Sequence, residues 1–280
     1  MNTPKNTTPS VVEPPVIELI DVSHRFGTHV AVDHLNVSVA AGEMVALVGR
    51  TGAGKSTVMN MIMGSLTPSE GVVRVAGHDL SRDRRAIRRK LAVSFQTDRL
   101  LPWRTALGNV ELGMEIVGIE AGERRRKALD WLDRVKMAGA ASRYPHELSG
   151  GMRQRVSLAR ALAVDPEIIL LDESFSQLDH VTSKVLRADV SALVRSLGKT
   201  LLFVTHRIDE AIEMADRIIC LSAPAHVALE VRPTPAQRAD SRECERLHAQ
   251  IARAMGGEDI TDEALAAANV TLLDRARKAQ

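Results

Sequence analysis

The sequence predicts an α/β fold in which a central, largely parallel sheet is flanked by helices. Short apolar segments typical of strands alternate with longer segments typical of helices along most of the chain. A glycine-rich turn at residues 49–56 joins one wholly apolar strand to the helix that follows it. The 280 residues are 45% hydrophobic, which is enough for one large domain with a substantial core.

Hydrophobic periodicity along the chain predicts the strands and helices. Strands are predicted at 16–22, 31–39, 44–48, 71–75, 91–95, 168–171, 201–204 and 218–221. Helices are predicted at 56–63, 82–90, 106–116, 124–137, 181–197 and 209–215. Strand signals are missing from about 97 to 150, which predicts an inserted helical subdomain. We expect residues 1–15, polar and proline-rich, to form a disordered tail, and 226–280 to form a C-terminal helical extension.

The composition excludes several classes of protein. The net charge of +2, from 37 basic and 35 acidic residues, argues against an obligate polyanion binder. Aromatic residues make up only 2%, so a base-stacking platform for nucleic acid is not expected. Cys220 and Cys244 have neither disulfide-framework nor metal-site spacing, which favours a reducing compartment. No apolar run approaches the roughly 18 residues of a membrane span, so any membrane association is expected to go through a partner.

The turn after the third strand matches the phosphate-loop pattern G-x-x-x-x-G-K-[ST] completely. Its glycines allow backbone N–H groups to surround phosphates at the positive end of the next helix. Lys55 would reach the β- and γ-phosphates, Ser56 would bind Mg²⁺, and Thr57 would support the α-phosphate. A plain glycine-rich turn is the alternative, but the flanking strand and helix favour the phosphate loop. The predicted nucleotide-binding residues are Gly49, Arg50, Thr51, Gly52, Ala53, Gly54, Lys55, Ser56 and Thr57.

The apolar strand at 168–171 ends in two carboxylates, Asp172 and Glu173. A buried strand would place them at the carboxyl edge of the sheet, where α/β proteins bind ligands. We expect Asp172 to hold Mg²⁺, through a water, and Glu173 to polarise the attacking water. Acidic residues are common at strand ends, so the phosphate loop upstream is what favours this function.

A second glycine turn directly precedes an amphipathic helix. Ser149 is the expected N-cap, and Gly150 and Gly151 expose backbone N–H groups at the positive helix end. We predict that this turn, with Met152 after it, binds the γ-phosphate of ATP held by a second copy. Ser149 and Gly151 would then be dispensable in a monomer and essential in a dimer. A simple helix cap is the alternative.

With these motifs, residues 16–225 strongly resemble the ATP-binding subunits of ABC transporters. Residues 148–155 resemble the signature motif of that family, and 49–56 and 168–173 resemble its Walker A and Walker B motifs. The resemblance implies a P-loop NTPase core with an antiparallel β subdomain and an inserted α-helical subdomain. It also implies ATP and Mg²⁺ as cofactors and hydrolysis by a homodimer.

The resemblance assigns roles to single residues as well. Gln96 matches the Q-loop glutamine, which contacts Mg²⁺ and links to the transmembrane partner. His206 matches the switch histidine that senses the γ-phosphate, so that it joins Glu173, Gln96 and Lys55 as a catalytic candidate. Asp179 matches the D-loop aspartate. Phe26 lies where the family stacks an aromatic ring on adenine.

Residues 95–105 are similar to the nitrate/sulfonate/taurine importer branch. Leu100, Leu101 and Trp103 form an apolar group just past Gln96, which either receives a helix of a permease or packs inside the helical insertion. The branch implies integral membrane permease subunits and, indirectly, an extracytoplasmic solute-binding protein. It places the chain peripherally at the cytoplasmic face of the inner membrane, with no nucleic acid partner.

Three positions depart from the family pattern. Ser174 stands where proline is usual, which would loosen the backbone beside Glu173. Gln177 puts a bulkier polar group near the expected dimer seam, and Arg207 replaces an aspartate, which reverses the charge beside His206. The reacting groups all remain, so hydrolysis is still expected.

Other functions stay open at this point. A non-transport ATPase of the same superfamily, acting in DNA repair or translation, usually has tandem cassettes, coiled coils or zinc insertions, none of which this sequence contains. A P-loop kinase has no place for the signature turn or Gln96. An exporter remains possible because the permease sets the direction. The basic cluster at 82–90 is either a solvated helix face or a contact for phospholipid head groups.

Overall fold

Two sheets and eight α-helices make up the computed structural model, which describes residues 14–176 and 178–256. The strands are β1 (Ile17–Phe26), β2 (His29–Val39), β3 (Met44–Val48), β4 (Glu70–Val75), β5 (His78–Asp79), β6 (Leu91–Ser94), β7 (Ile168–Asp172), β8 (Thr200–Thr205), β9 (Arg217–Ser222) and β10 (His226–Val231). The α-helices are α1 (Lys55–Ile62), α2 (Ala106–Ile116), α3 (Ala121–Arg134), α4 (Gly150–Leu162), α5 (His180–Ser196), α6 (Ile208–Met214), α7 (Pro235–Ala239) and α8 (Ser241–Ala254). Most of the predicted N-terminal tail, the end of the C-terminal extension and Gln177 lie outside this description.

The larger sheet has the strand order β10-β9-β3-β8-β7-β6. Its strands from β9 to β6 run parallel, and β10 closes one edge antiparallel to β9. The smaller sheet, β2-β1-β4-β5, is entirely antiparallel. The predicted parallel core and antiparallel β subdomain are therefore both present.

The parallel strands are buried on both faces, which explains why they are apolar without alternation. Successive side chains of a strand point to opposite faces. Met44 and Phe203 accordingly pack on the face that is covered by helices such as α4 and α5. Val45 and Leu202 pack on the opposite face, against α1 and the antiparallel sheet. The two cores make the fold a stack of three layers, with the parallel sheet in the middle.

The inserted segment between β6 and β7 forms α2, α3 and α4 with short 3-10 turns, as predicted for a helical insertion. Thr105 caps α2 by accepting a hydrogen bond from the Gly108 N–H at 3.2 Å. Asn109, fully buried in α2, donates to the carbonyls of Leu101, Arg104 and Thr105 and accepts from the Leu101 N–H. One amide side chain thus fixes the segment that follows Gln96.

Two predicted elements differ from the structure. The helix expected at 82–90 is only a 3-10 turn, Arg84–Ile87, which the Asp83 carboxylate caps by accepting from Arg85 and Ala86. Only Ile87 in that turn is buried, so too little apolar surface is covered to hold a longer helix among repelling arginines. The predicted C-terminal helical extension begins instead with β10, whose backbone hydrogen bonds with β9 decide its conformation. Within 14–176 and 178–256, no helix is both long and apolar enough to cross a bilayer.

Candidate functional site

The candidate site lies where four neighbouring parallel strands end. The register pairs Val48 of β3 with Thr205 of β8, and Leu171 of β7 with both Phe203 of β8 and Ser94 of β6. Since the strands are parallel and end nearly level, the segments after them meet at one edge of the sheet. The strand order β3-β8-β7-β6 therefore places the phosphate loop, His206, Glu173 and Gln96 side by side in that order.

The phosphate loop depends on glycine at two positions for steric reasons. A Cβ on Gly54, which has φ +81°, would lie 2.6 Å from the Ala225 Cβ and 2.7 Å from the Ala31 carbonyl oxygen. A Cβ on Gly49 would lie 2.6 Å from the Leu221 carbonyl oxygen. Both contacts are closer than a real side chain tolerates, so the loop is pressed against the backbone of neighbouring strands.

Lys55 lies inside this loop, only 7% exposed. Its ammonium donates to the carbonyls of Gly49 at 2.6 Å and Arg50 at 3.0 Å. Burial lowers the pKa of Lys55, while the negative charges of Glu173 and Asp172 act in the opposite direction. The ammonium and both carboxylates are thus close enough to interact, as a site for phosphate and a divalent cation requires.

A cleft of about 280 Å³ opens beside the loop. It is lined by Phe26, His29, Ala31, Thr51, Gly52, Gly54, Lys55, Ser56, Thr57 and Glu173. Phe26 is about half exposed, and its ring packs edge-on against the His24 ring with 4.6 Å between the ring centroids. The structure therefore brings the predicted aromatic residue, most of the phosphate loop and Glu173 together, whereas Gly49, Arg50 and Ala53 form the loop without lining the cleft.

Glu173 is held in an unusual conformation at the start of the loop after β7. Its φ of +43° is in the left-handed region, which costs a non-glycine residue free energy. Its N–H donates to the Val204 carbonyl at 3.0 Å, and its Oε1 lies 3.3 Å from Nδ1 of His206. The two residues predicted for water activation and γ-phosphate sensing are therefore in direct contact.

Asp172 is half-buried at the end of β7. Burial, and next the negative charge of Glu173, raise the pKa of the Asp172 carboxyl, while Arg99 and Lys55 act against that change. Keeping Asp172 ionised at neutral pH therefore costs the folded protein free energy. Such a cost is expected where a carboxylate is kept for a cation rather than for stability.

We expect Asp172→Asn to stabilise the protein without nucleotide and to abolish Mg²⁺-dependent ATP hydrolysis. The free energy of unfolding at neutral pH should rise by about 0.5–2 kcal/mol, the usual gain when a destabilising functional group is removed. A carboxyl with a raised pKa in the folded state loses stability as the pH rises through that pKa. The gain of the variant over wild type should therefore be largest at neutral pH and vanish near pH 4, around the unfolded pKa of Asp.

Denaturant unfolding of both proteins across this pH range measures the gain. Asp165→Asn, on the turn before β7, is the control, because the Asp165 carboxylate is exposed and pairs with Lys199 at 2.7 Å. That variant should show no gain. A lower stability of Asp172→Asn at neutral pH would contradict the prediction.

Three serines connect Gln96 with the loop after β7. Ser174, which is buried, donates its hydroxyl hydrogen to the Ser94 carbonyl at 3.0 Å. Ser176 donates to the Glu173 carbonyl at 2.9 Å and accepts from Gln96 Nε2 at 3.3 Å. The backbone beside Glu173 is therefore tied to β6, contrary to the loosening expected from the missing proline. Sequence reasoning noted Ser174 only as a missing proline and did not single out Ser176, because a hydroxyl gives no signal of its partner.

Arg99 is a second residue that the sequence alone did not single out. Its guanidinium lies over the Phe95 ring, 3.6 Å from the ring centroid, and its charge acts on Asp172. Its φ of +47° shows that the chain turns sharply there. The Phe95 aromatic ring four residues earlier was the only available hint.

The second glycine turn lies apart from the cleft and packs against α5. Ser149 caps α4 by accepting from the Met152 N–H at 3.3 Å, as predicted. A Cβ on Gly150 would meet the Leu178 side chain at an ordinary 3.5 Å, but a Cβ on Gly151 would lie 2.7 Å from Cγ2 of Thr182. A methyl group on Gly151 would therefore require Thr182 to shift, so a substitution there acts on its own chain as well as on any dimer. Asp179 caps α5 by accepting from the Thr182 N–H at 3.0 Å.

The side chains at the site suit a Mg²⁺ ion that is bound together with ATP, and not a metal ion whose ligands all come from the protein. No group of three or more His, Cys, Asp or Glu able to hold a metal ion occurs in the part of the chain that the structure describes. Mg²⁺ typically takes one or two carboxylates and completes its shell with water and substrate phosphates. Asp172, Ser56 and Gln96 at the sheet edge would provide such a partial shell.

The chain is similar to known proteins along most of its length. A family profile described as ABC transporter matches residues 32–176. The taurine import ATP-binding protein TauB of Yersinia pestis is 40% identical over 197 residues, which is 69% of this chain and 74% of TauB. The methionine import ATP-binding protein MetN of Brucella abortus is 37% identical over 217 residues, 76% of this chain and 59% of MetN.

Solved structures of ABC cassettes have a similar fold. The dimeric ATP-binding cassette MJ0796, in a post-hydrolysis state bound to ADP and Pi, superposes with a TM-score of 0.68 at 33% identity. The match covers 78% of this chain and 99% of that one. The fold is thus the P-loop NTPase architecture that ABC ATPase cassettes share. The chain belongs to the ABC transporter family, as one of its ATP-binding subunits.

Proposed function

We propose that two copies of this protein hydrolyse ATP between them and thereby drive a membrane permease that imports a small solute. The observation that carries the proposal is the contact of Glu173 with His206 at the cleft that the phosphate loop lines. A carboxylate and an imidazole beside a phosphate cradle provide what phosphoryl transfer to water requires.

Each residue then has a definite task. The backbone of residues 49–54 and the helix α1 N-terminus surround the phosphates, and Lys55 leaves its two loop carbonyls to reach the β- and γ-phosphates. Phe26 stacks on the adenine at the open end of the cleft. Bound Mg²⁺ would neutralise charge on the phosphates, held by Ser56, Asp172 and Gln96. Glu173 orients the attacking water and takes its proton, and His206 holds the γ-phosphate.

The second copy completes the site. Residues 149–152 begin α4 at its positive terminus, where the Met152 N–H is already bonded to the Ser149 hydroxyl, and they do not line the cleft of their own chain. Placed against a partner's γ-phosphate, they would add the missing donors and make closure of the dimer depend on ATP. The dimeric state of the similar cassette MJ0796 supports this arrangement.

The permease contact is proposed at the segment after Gln96. Leu100 is buried in the helical core and so packs within the insertion, but Trp103 is 71% exposed. Asn109 holds this segment rigidly, and an exposed indole on a rigid segment is a good anchor for a partner. The names of TauB and MetN describe import proteins, which favours a permease of import type and a peripheral position at the cytoplasmic face of the inner membrane.

The experiment is a solute-stimulated ATPase assay on the complex purified with its permease and binding protein. Taurine, other sulfonates and nitrate are tested in turn, and one class should raise the rate of phosphate release. Trp103→Ala should lose this stimulation, because removing an exposed aromatic anchor typically costs about 2 kcal/mol or more of interface energy. Ile116→Ala, an equally exposed apolar residue on α2, is the control and should retain it. Failure to recover any permease with the ATPase would favour a non-transport ABC ATPase, and ATP-driven efflux would identify an exporter.

A further inference from the structure

A buried cluster of charged side chains lies behind His206 and has no part in the mechanism so far. Arg187 of α5 is 1% exposed, and Glu210 of α6 is 2% exposed. Arg187 Nη1 lies 3.4 Å from Glu210 Oε1, and its Nε donates to Glu213 at 2.8 Å. Buried ion pairs of this kind contribute little to stability compared with apolar packing, so their presence here calls for another reason.

The cluster reaches His206 through Thr205, the last residue of β8. Thr205 is 2% exposed and donates its hydroxyl hydrogen to Glu210 Oε2 at 2.7 Å. The same hydroxyl oxygen accepts from the Arg207 N–H at 3.0 Å. One side chain therefore ties the backbone on both sides of His206 to a fixed, buried carboxylate.

Arg207 completes the charge balance of the cluster. Its Nη1 lies 3.4 Å from Glu210 Oε1, so that two guanidinium groups face the carboxylates of Glu210 and Glu213. The arginine at this position directs its charge to Glu210, behind His206. The charge reversal expected from the sequence is thus neutralised within the chain.

The cluster also joins the His206 segment to the helix that leads from the second glycine turn. Arg187 Nη1 donates to Ser183 Oγ at 2.6 Å, one turn from the start of α5. Asp179 caps that start, and Thr182 in its first turn packs against Gly151. Movement of α5 would therefore be transmitted to Glu210 and Thr205 through side chains that are almost completely buried.

We propose that Thr205, held by Glu210, is a positioning residue that sets the imidazole of His206 against Glu173 and the γ-phosphate. This inference rests on the role of His206 in the proposed function. Thr205 is buried and does not line the cleft, so it would act only through its neighbour. Loss of its hydroxyl should leave ATP binding intact and misplace His206.

The test is Thr205→Val, which keeps the shape and removes both hydrogen bonds. We expect kcat for ATP hydrolysis to fall by about tenfold to a hundredfold, the usual cost of misplacing a catalytic group by about 1 Å. The KM for ATP should stay within about twofold, because the phosphate loop and Phe26 are untouched. Thr205→Ser keeps the hydroxyl and should restore kcat to within about threefold of wild type.

Thr200→Val is the matched control at the other end of the same strand. Thr200 is equally buried at 3% exposed, and its hydroxyl accepts from the Gly42 N–H at 2.9 Å. The two valine variants should lose similar amounts of thermal stability, but Thr200→Val should keep kcat. Thr205→Ala removes the same hydroxyl without adding a methyl group, and serves if the valine variant does not fold.

The double variant Thr205→Val/His206→Ala separates the possible failures. It should be no slower than His206→Ala alone, because a residue that acts through His206 has nothing left to position. A further tenfold loss would overturn the proposal, as would a Thr205→Val enzyme with the kcat of the Thr200→Val control. If His206→Ala itself hydrolysed ATP at the wild-type rate, the assigned role of His206 would fail, and this inference with it.

Discussion

Glu173→Gln should stop ATP hydrolysis and leave the protein trapped as an ATP-bound dimer. The amide has nearly the shape of the carboxylate but cannot take a proton from water, so turnover should fall by about two to four orders of magnitude. ATP binding should persist, because Lys55 and the loop backbone are unchanged. The amide also removes the negative charge that repels Asp172 and the γ-phosphate, which favours the closed state. Phosphate release and gel filtration with ATP and Mg²⁺ measure the two effects.

Glu167→Gln is the matched control for this substitution. Glu167 precedes β7, whereas Glu173 follows it, and its exposed side chain is 4.0 Å from Lys90. That variant should hydrolyse ATP normally and remain monomeric or dimeric as wild type does. Retained hydrolysis in Glu173→Gln would show that another group takes the proton.

Mixing two inactive variants, Lys55→Ala and Gly150→Ala, should restore part of the activity. Each variant alone inactivates both sites of a symmetric dimer. Lys55→Ala does so at the phosphate loop, and Gly150→Ala does so at the second glycine turn. In a mixed dimer both lesions fall on the same site, and the other site keeps an intact loop from one chain and an intact turn from its partner. If the sites act independently, an equal mixture should recover roughly a quarter of the wild-type rate.

Gly150 is the better probe of this turn because the structure separates it from Gly151. A methyl group on Gly150 meets Leu178 at an ordinary distance, so the monomer should fold and bind ATP. Gly151→Ala would strain its own chain against Thr182 and confuse the two effects. Mixing Lys55→Ala with Glu173→Gln is the control, because each mixed dimer then has one lesion in each site. A site shared between chains would be contradicted if the control mixture regained ATPase activity. It would also be contradicted if the mixture of Lys55→Ala and Gly150→Ala regained none.

Much of the site could be predicted from local sequence. The loop at 49–56 and the acidic end of β7 are each specified by a short pattern whose chemistry needs those residue types next to one another. The cap at Ser149 is equally local, because a side chain and an N–H three residues later are enough to make it. The bounds of β3 and α2 were correct for the same reason, since an apolar run or a capped amphipathic run ends where its pattern ends.

Prediction from the sequence failed where the conformation of a segment, or the partner of a side chain, depends on residues distant in the chain. Residues 226–231 became a strand because β9 offers an unpaired edge, which no local pattern shows. Ser174 and Arg207 read as losses when compared with the family pattern, yet the structure gives each a partner, the Ser94 carbonyl and the Glu210 carboxylate. The cost of Gly151 substitution depends on Thr182, which is 31 residues away along the chain.

The sequence by itself determined the local motifs of this protein: a phosphate loop, a pair of carboxylates and a second glycine turn, for which we propose another copy's nucleotide as the ligand. Only the tertiary structure decided how these parts act together. The strand order β3-β8-β7-β6 puts His206 between the phosphate loop and Glu173, although Glu173 and His206 are 33 positions apart in the chain. That order is fixed by burial of both faces of the parallel sheet and by its backbone hydrogen bonds, which are properties of the whole chain.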